Sequence, residues 1–301
     1  MSRYVVIPRM RVQNANMQTN GVLLGGVPLF AANMFAHHLA RQLGTQEEGI
    51  IYIHHDQQRL GEQAWGRFIP SQRRGAVFIN EKDYAKGDGK GYAKENINLA
   101  LQPTASCHIE FSLVIKFTSS RISPEKLTNI LKRSRFAGGQ IIEFLDITTH
   151  AENELEAALK KIKTGFAILD RQDLLIEYQQ RKQINRVQAF TQLLALKVDA
   201  LRTFFNDQNL SWISATNLGY ALLEPLTDQR AGIRQAQDQE TTAHAYAEPL
   251  TGIVQYFSLG EILRKNTEAE DDTWHNLQKL LWTYHWPQDD IFLLKQNCVN
   301  A

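Results

Sequence analysis

CHIEFSLVIKF, residues 107–117, decides the fold. His108, Glu110 and Ser112 alternate with Ile109, Phe111 and Leu113, the period of a strand with one buried face. Upstream, YVVIPRMRV (4–12) is rich in β-branched residues and reads as a second strand. Pro8 removes one ladder donor there, so that strand lies at an edge or is bulged. QNANMQTNGVLLGGVP (13–28) reads as a loop, and Pro28 opens a helix over Leu29–Leu43 with Phe30, Met34 and Leu39 as core candidates. IIYIHH (50–55) is another strand. Downstream, Ser123 caps a helix that starts on Pro124 and runs to about Arg133. FAGGQIIEFLDI (136–147) gives a Gly-Gly turn and a further strand.

The order strand, helix, strand, strand, helix, strand is that of an RRM or ferredoxin-like sheet, an α+β class. Residues 57–103 interrupt it between the two middle strands. They are polar, basic and glycine-containing, with a short strand expected at 76–80, and predict a projecting basic hairpin. Residues 1–150 would thus form one RRM-like domain. Residues 151–250 read as a mainly helical insertion. In it Val187, Phe190, Leu194, Val198, Leu201 and Phe205 form one apolar stripe, predicting a single helix from about Arg186 to Asn206. Residues 251–301 read as a closing strand (TGIVQYFSLG, 251–260) and a C-terminal helix over 271–285 carrying Trp274, Leu277, Leu281 and Trp282.

The bulk composition fits a folded chain, with 43% hydrophobic and 22% charged residues in 301. No apolar run approaches the ~20 residues of a membrane span, and the N-terminal apolar patch is too short for a signal peptide. The two cysteines, Cys107 and Cys298, are far apart, which fits a reducing cytoplasm better than a disulfide scaffold. The net charge of +1 hides an asymmetry. Residues 1–140 carry 18 Lys/Arg and 10 Asp/Glu, a net of +8, and the remainder 15 and 22, a net of −7. A basic half joined to an acidic half points to a polyanion at one end and protein contacts at the other.

Three constellations could carry chemistry. Arg9, Arg11, Gln13, Asn14 and Asn16 end the first strand, offering fork-shaped donors for phosphate and amides for base edges. Side-chain alternation puts Arg9 and Arg11 on one face. A solvated strand end with Asx turns is the plain alternative. The excursion interleaves Arg59, Arg67, Arg73, Arg74 and its lysines with Trp65, Phe68, Phe78, Tyr84 and Tyr92, the mixture that single-stranded nucleic acid needs. A surface hairpin whose aromatics pack on the domain is equally compatible. Lys132, Arg133 and Arg135 precede Phe136, Gly138 and Gly139, where a bare backbone can approach phosphate; a helix stop and turn is the alternative.

The histidines offer less. His54 and His55 are adjacent on a strand and point to opposite faces, so they do not share a metal. No HExxH, GxSxG or GxGxxG pattern is present, and GVLLGGVP (21–28) does not fit the dinucleotide fingerprint. No catalytic residue, metal or cofactor is expected. An RNA-processing endonuclease using His37 or His54 as general base, and a protein–protein adaptor built on the acidic half with Trp274, Trp282 and Trp286, are the competing readings.

IPRMRVQNAN, HIEFSLVIKF, RFAGGQII, TGFAILDRQDLL and LQKLLWTYHW occur in this order along nearly the whole chain. Together they resemble the second Csy subunit family (Csy-two, the Cas-five-type protein of subtype I-F CRISPR systems). The resemblance implies an RRM-like subunit of the Csy (Cascade) surveillance complex. Such a subunit caps the 5′ handle of the crRNA and bridges large and backbone subunits, and the assembled complex finds target DNA in antiviral defence. It implies no nuclease centre. The QNAN segment and the Gly138-Gly139 turn would contact the handle, and the basic excursion would be a thumb-like hairpin. The expected RNA contacts are Arg9, Arg11, Gln13, Asn14, Asn16, Arg67, Arg73, Arg74, Lys116, Arg133, Arg135, Phe136, Gly138 and Gly139.

Overall fold

The computed structural model describes residues 2–20, 23–71, 73–74, 101–102, 105–119, 121–227, 245–268 and 277–296. It is a mixed structure of helices and antiparallel sheet, as the α+β reading expected. The expected strand at 76–80, and Phe78, Tyr84 and Tyr92, lie outside the described residues, as do the side chains of Arg73 and Arg74.

The N-terminal half follows the order read from the sequence. β1 (Arg3–Asn16), α1 (Leu29–Leu43), β2 (Glu47–Ala64), β6 (Ser106–Phe117), α2 (Pro124–Leu131) and β8 (Gly139–Glu143) succeed one another. Between β2 and β6 lie β3 (Arg67–Pro70), β4 (Arg73–Arg74) and β5 (Leu101–Gln102), and β7 (Arg135–Phe136) precedes β8. The sheet order is β2-β6-β1-β8, with every neighbouring pair antiparallel. Local chemistry sets the helix ends. Gly44 closes α1 in the left-handed conformation at φ 71. Ser123 Oγ accepts from the Lys126 amide and Pro124 takes the first turn of α2.

Two strands are longer than read. β1 runs through Gln13–Asn16, so the QNAN segment is strand and not loop. β2 runs through residues 57–64, so the excursion begins as a continuation of the sheet. Its partner explains this: β6 offers ladder groups out to Ser106, opposite Asn16 on one side and Leu60 on the other. Pro8 does not sit at an edge. β1 is central, and a register shift between Ile7 and Met10 absorbs the missing donor as a bulge with Arg9 at φ 52.

Residues 151–301 add to the same sheet. β9 (Thr148–Ala151) pairs β1, and β10 (Phe166–Asp170), β12 (Ala247–Ser258), β11 (Ile213–Leu222), β14 (Ile291–Gln296) and β13 (Trp282–Gln288) follow one another in space. Both outer members of this group, β10 and β13, dock on β2, at Ile53–His54 and at Ile50. The sheet thereby curls closed over Trp282, whose indole N–H donates to the Ile168 carbonyl at 2.9 Å.

Helices cover both faces. α1 and α2 pack their apolar sides on Val5, Ile7, Phe111 and Leu113. α3 (Leu155–Ile162) and α7 (Leu259–Glu268) pack on Tyr4, Val6, Ile51 and Val114 of the opposite face. α4 (Gln172–Lys182), α5 (Arg186–Ala195) and α6 (Val198–Phe205) form a third cluster against Ile213 and Ile253.

Two helix expectations are corrected. The stretch 186–206 is two helices, broken at Leu196 and Lys197, and Val187 of the expected stripe is 73% exposed. The break lets α6 fold back so that Leu201 reaches the cluster that Leu193 closes on α5. The C-terminal helix over 271–285 is, within the described residues, a 3-10 turn at Leu277–Leu280 followed by strand β13. The free edge of β2 and the hairpin partner β14 outweigh the helical spacing of Leu277 and Leu281, because Trp282 is worth more buried in the closed sheet than half-exposed on a helix.

Candidate nucleic-acid interface

The polar face of β6 catches both irregular points of β1. The Arg9 amide, turned out of the ladder by the bulge, donates to Ser112 Oγ at 2.9 Å. A second register shift lies between Val12 and Ala15, where Asn14 sits at φ 55 and its amide donates to His108 Nδ1 at 3.3 Å. The alternation that identified β6 as a strand thus also shapes β1.

The arginines of β1 are already engaged. Arg9 donates to Glu110 at 2.8 Å and to Thr164 at 2.7 Å, and Arg11 pairs with Glu143 at 2.9 Å. Both reach the face that carries Glu110, as alternation predicted, with Arg11 directly opposite Glu110. A shallow pocket on this face, lined by Arg11, Gln13, His108, Glu110 and Ile142, also holds Asp56. With Asp56, Glu110 and Glu143 against two arginines, it offers no net positive field for phosphate.

The strand's end is different. Gln13, Asn14 and Asn16 are exposed there, and the Asn16 amide donates to the Ala137 carbonyl at 2.8 Å, tying β1 to the β7–β8 hairpin. That hairpin turns through Ala137 at φ 45 and Gly138 at φ 77. Arg133 and Arg135 are exposed beside it, and neither has a carboxylate partner among the described residues; Arg135 donates only weakly to the Gly138 carbonyl, at 3.4 Å. The structure therefore brings Gln13, Asn14, Asn16, Arg133, Arg135 and Gly138 to one exposed sheet end.

Three expected contacts are corrected. Phe136 is fully buried, its ring 4.5 Å from Phe111 and 5.5 Å from Phe35, so it cannot stack on a base. Gly139 faces inward, where a Cβ would lie 2.6 Å from the Gln13 carbonyl; its smallness serves strand packing. Lys116 is largely buried at the far end of β6, held by Glu48 at 2.8 Å and Glu152 at 2.9 Å. Its charge is spent before any phosphate could reach it.

Arg67 opens β3, exposed, in a hairpin whose tip carries Trp65 at 92% exposure. Arg59 on β2 lies over the Phe68 ring at 6.0 Å and against Gly25. Arg73 and Arg74 pair through their backbones with Gln102 and Leu101, so the two arms of the excursion do meet.

Burial pushes both His54 and His55 down to about 4. His54 packs edge-on against Tyr256, and His37 pairs with Glu47 at 2.8 Å. Among the described residues no group of three or more His, Cys, Asp or Glu could hold a metal.

One part of the surface was not foreseen. A groove of about 150 Å³ runs from Asn16 and Ala137 past Gln18 and Thr19 to the first turn of α1 and to Thr216 and Asn217 of β11. No side chain caps α1 and no acid sits in its first turn; the Leu29 amide donates to the Val27 carbonyl, and residues 28–31 line the groove. Thr19 Oγ1 is buried there with no hydrogen-bond partner. Pro28 without a preceding Ser, Thr, Asp or Asn was the available sequence signal; Thr216 and Asn217 come in only through the closed sheet.

A family model for CRISPR-associated protein (Cas_Csy2) matches residues 5–294. The chain is also 22% identical, over 331 aligned residues, to CRISPR-associated protein Csy2 of Pseudomonas aeruginosa strain UCBPP-PA14, covering 95% of this chain and 92% of that protein. With the match spanning β1 to β14, this chain belongs to the Cas_Csy2 family.

Proposed function

We propose that this chain is a non-catalytic crRNA-binding subunit of a type I-F CRISPR surveillance complex. In this reading the end of β1 and the β7–β8 hairpin hold the 5′ handle of the guide. The chain bridges the large and backbone subunits in the cytoplasm, and target DNA is engaged through the assembly. The observation that carries the reading is the meeting of three exposed amides with two cations that lack carboxylate partners among the described residues, at the mouth of a helix start without a side-chain cap. Amides read base edges, arginine forks and helix amides take phosphate, and unstacked RNA presents both. The β8-β1-β6-β2 order with helices crossing on one face supports an RRM or ferredoxin-like assignment for the first 150 residues.

Two observations favour a binding role over RNA cleavage. His54 is held neutral and packed on Tyr256, and neither His54 nor His37 lines the groove. No helix among the described residues is long and apolar enough to cross a membrane.

The test is equilibrium binding of a 5′-handle RNA oligonucleotide, against a scrambled control, across a salt series. Preferential binding that weakens with salt, and weakens further in the Arg133→Ala/Arg135→Ala double variant, is expected. Equal binding of handle and scramble by both proteins overturns the assignment, and cleavage of a repeat RNA by the purified chain overturns the non-catalytic role.

A further inference from the structure

The ends of β11, β12 and the β13–β14 hairpin carry large apolar side chains. Leu223 is 62% exposed, Tyr246 65% and Trp286 48%. They form one patch. The Leu223 amide donates to the Tyr246 carbonyl at 2.8 Å, and the neighbouring Leu222 amide donates to the Asp290 carbonyl at 2.7 Å, joining the β11 end to the tip of the β13–β14 hairpin. Trp286 lies 6.0 Å edge-on from Tyr220 of β11 and 5.1 Å from Phe292 of β14. That stack fixes the indole, so it meets a partner with little rotamer entropy left to lose.

Among the described residues, the charged side chains of these strand tips are acidic. Glu248 is the second residue of β12, and Asp289 and Asp290 form the hairpin turn, while residues 217–227, 245–257 and 284–294 contain no Lys or Arg. An aromatic, acid-rimmed surface repels phosphate and fits a protein with complementary charge. We propose that the tips of β11, β12 and the β13–β14 hairpin form a docking surface for a protein partner that presents an apolar anchor flanked by lysine or arginine. Trp286 and Tyr246 are the anchoring contacts, and the two aspartates select the basic rim. The surface lies on strands of the acidic part of the chain, apart from the cations of the β7–β8 hairpin. It rests on the reading of the chain as a complex subunit only for where the partner is sought.

A photo-crosslinking residue placed at Tyr246, and separately at Trp286, in the complex assembled from the full chain, its co-expressed protein subunits and guide RNA, gives the test. Mass spectrometry of the adducts is expected to find an apolar segment of another protein subunit within a few residues of Lys or Arg. The Asp289→Arg/Asp290→Arg variant, whose changes lie on an exposed turn, is expected to bind that subunit at least tenfold more weakly while melting normally and retaining guide RNA. Adducts to RNA, adducts only to residues 228–244 of the same chain, no adduct at either position, or undiminished binding by the aspartate variant would each overturn the proposal. Guide retention is scored separately, so failure of the RNA assignment appears as lost RNA with the protein adduct intact.

Discussion

The Arg9 amide donates to the Ser112 hydroxyl at 2.9 Å, and the same oxygen lies 2.6 Å from His55 Nε2. One buried hydroxyl thus serves a bulge on β1 and a neighbouring side chain on β2. Ser112→Ala leaves the Arg9 amide and the His55 ring nitrogen unsatisfied together. A loss of about 1–3 kcal/mol is expected in urea unfolding. An unchanged midpoint would mean that solvent reaches the bulge and replaces the hydroxyl.

The two neighbouring histidines give the fold an acid sensitivity. Burial favours their neutral forms; Asp56 partly opposes it at His54, while Arg9 reinforces it at His55. Their folded pKa values near 4 lie below the ordinary value of 6.5, so the unfolded chain binds more protons between those limits. Stability from this source is therefore full above pH 6.5 and falls as the pH drops toward 4. A loss of about 1–2 kcal/mol per histidine is expected between pH 7.5 and 5, allowing for their partial exposure. The difference between unfolding midpoints at those pH values measures it, and His54→Gln and His55→Gln should each flatten it. A profile unchanged in both variants assigns the acid sensitivity elsewhere.

Much of this was legible because it is local. Alternation in 107–117, the Ser123-Pro124 start and the Pro28 start are all set by neighbours within a few residues, and those elements stand where read. The bulge was legible as well, since a missing N–H must be absorbed somewhere. What escaped is set by partners distant in sequence. Residues 271–285 have helical spacing, yet the free edge of β2, more than two hundred residues away, makes Trp282–Gln288 strand. Lys116 and Phe136 read as RNA contacts because charge and aromaticity are visible in sequence, while Glu48, Glu152, Phe35 and Phe111, which claim them, become neighbours only on folding. Arg9 and Arg11 belong to the same class.

Lys116 makes a clean separation of stability from binding. Burial alone would lower its pKa, but hydrogen bonds to Glu48 and Glu152 reverse this and push it up. Lys116→Met leaves two carboxylates facing each other across an apolar side chain. A loss of about 1–3 kcal/mol is expected, below the full cost of a broken buried pair because Glu152 is half exposed. Affinity for the handle oligonucleotide should stay within twofold, since the site lies at the opposite end of the strand. A reduced salt slope for this variant would restore Lys116 to the RNA surface.

Arg133 and Arg135 should show the reverse pattern. Both are exposed and hold up no neighbouring element, so alanine at either position is expected to shift stability by less than about 0.5 kcal/mol. Each phosphate contact removed lowers the slope of log K against log salt by about 0.7 on a single strand. The double variant should therefore lose more than one unit of slope if both engage phosphate. Arg9→Ala is the counterpart, costing stability through Glu110 and Thr164 with little change in slope. Equal slopes for wild type and the Arg133/Arg135 variant would move the phosphate contacts to the hairpin of Arg67.

Trp65 supplies the sharpest test of that hairpin. Ala64 pairs with Arg67, so Trp65 and Gly66 are the whole of a two-residue turn, at φ 51 and 71. Such a turn wants Asn-Gly, because a bulky side chain at positive φ clashes with its own backbone. A tryptophan there is both strained and 92% exposed, so it does not serve the turn. On the proposed RNA-binding reading, the ring beside Arg67 stacks on an unpaired base, a contact of about 1–3 kcal/mol. Trp65→Asn is accordingly expected to stabilise the chain by about 0.5–1 kcal/mol while weakening handle binding five- to a hundredfold. Tryptophan fluorescence should be quenched on RNA addition in the wild type, with the quench reduced in the variant. A variant that is more stable and binds RNA as tightly as the wild type would show that the ring faces something other than the guide, and protein contacts at the hairpin tip would be the next to probe.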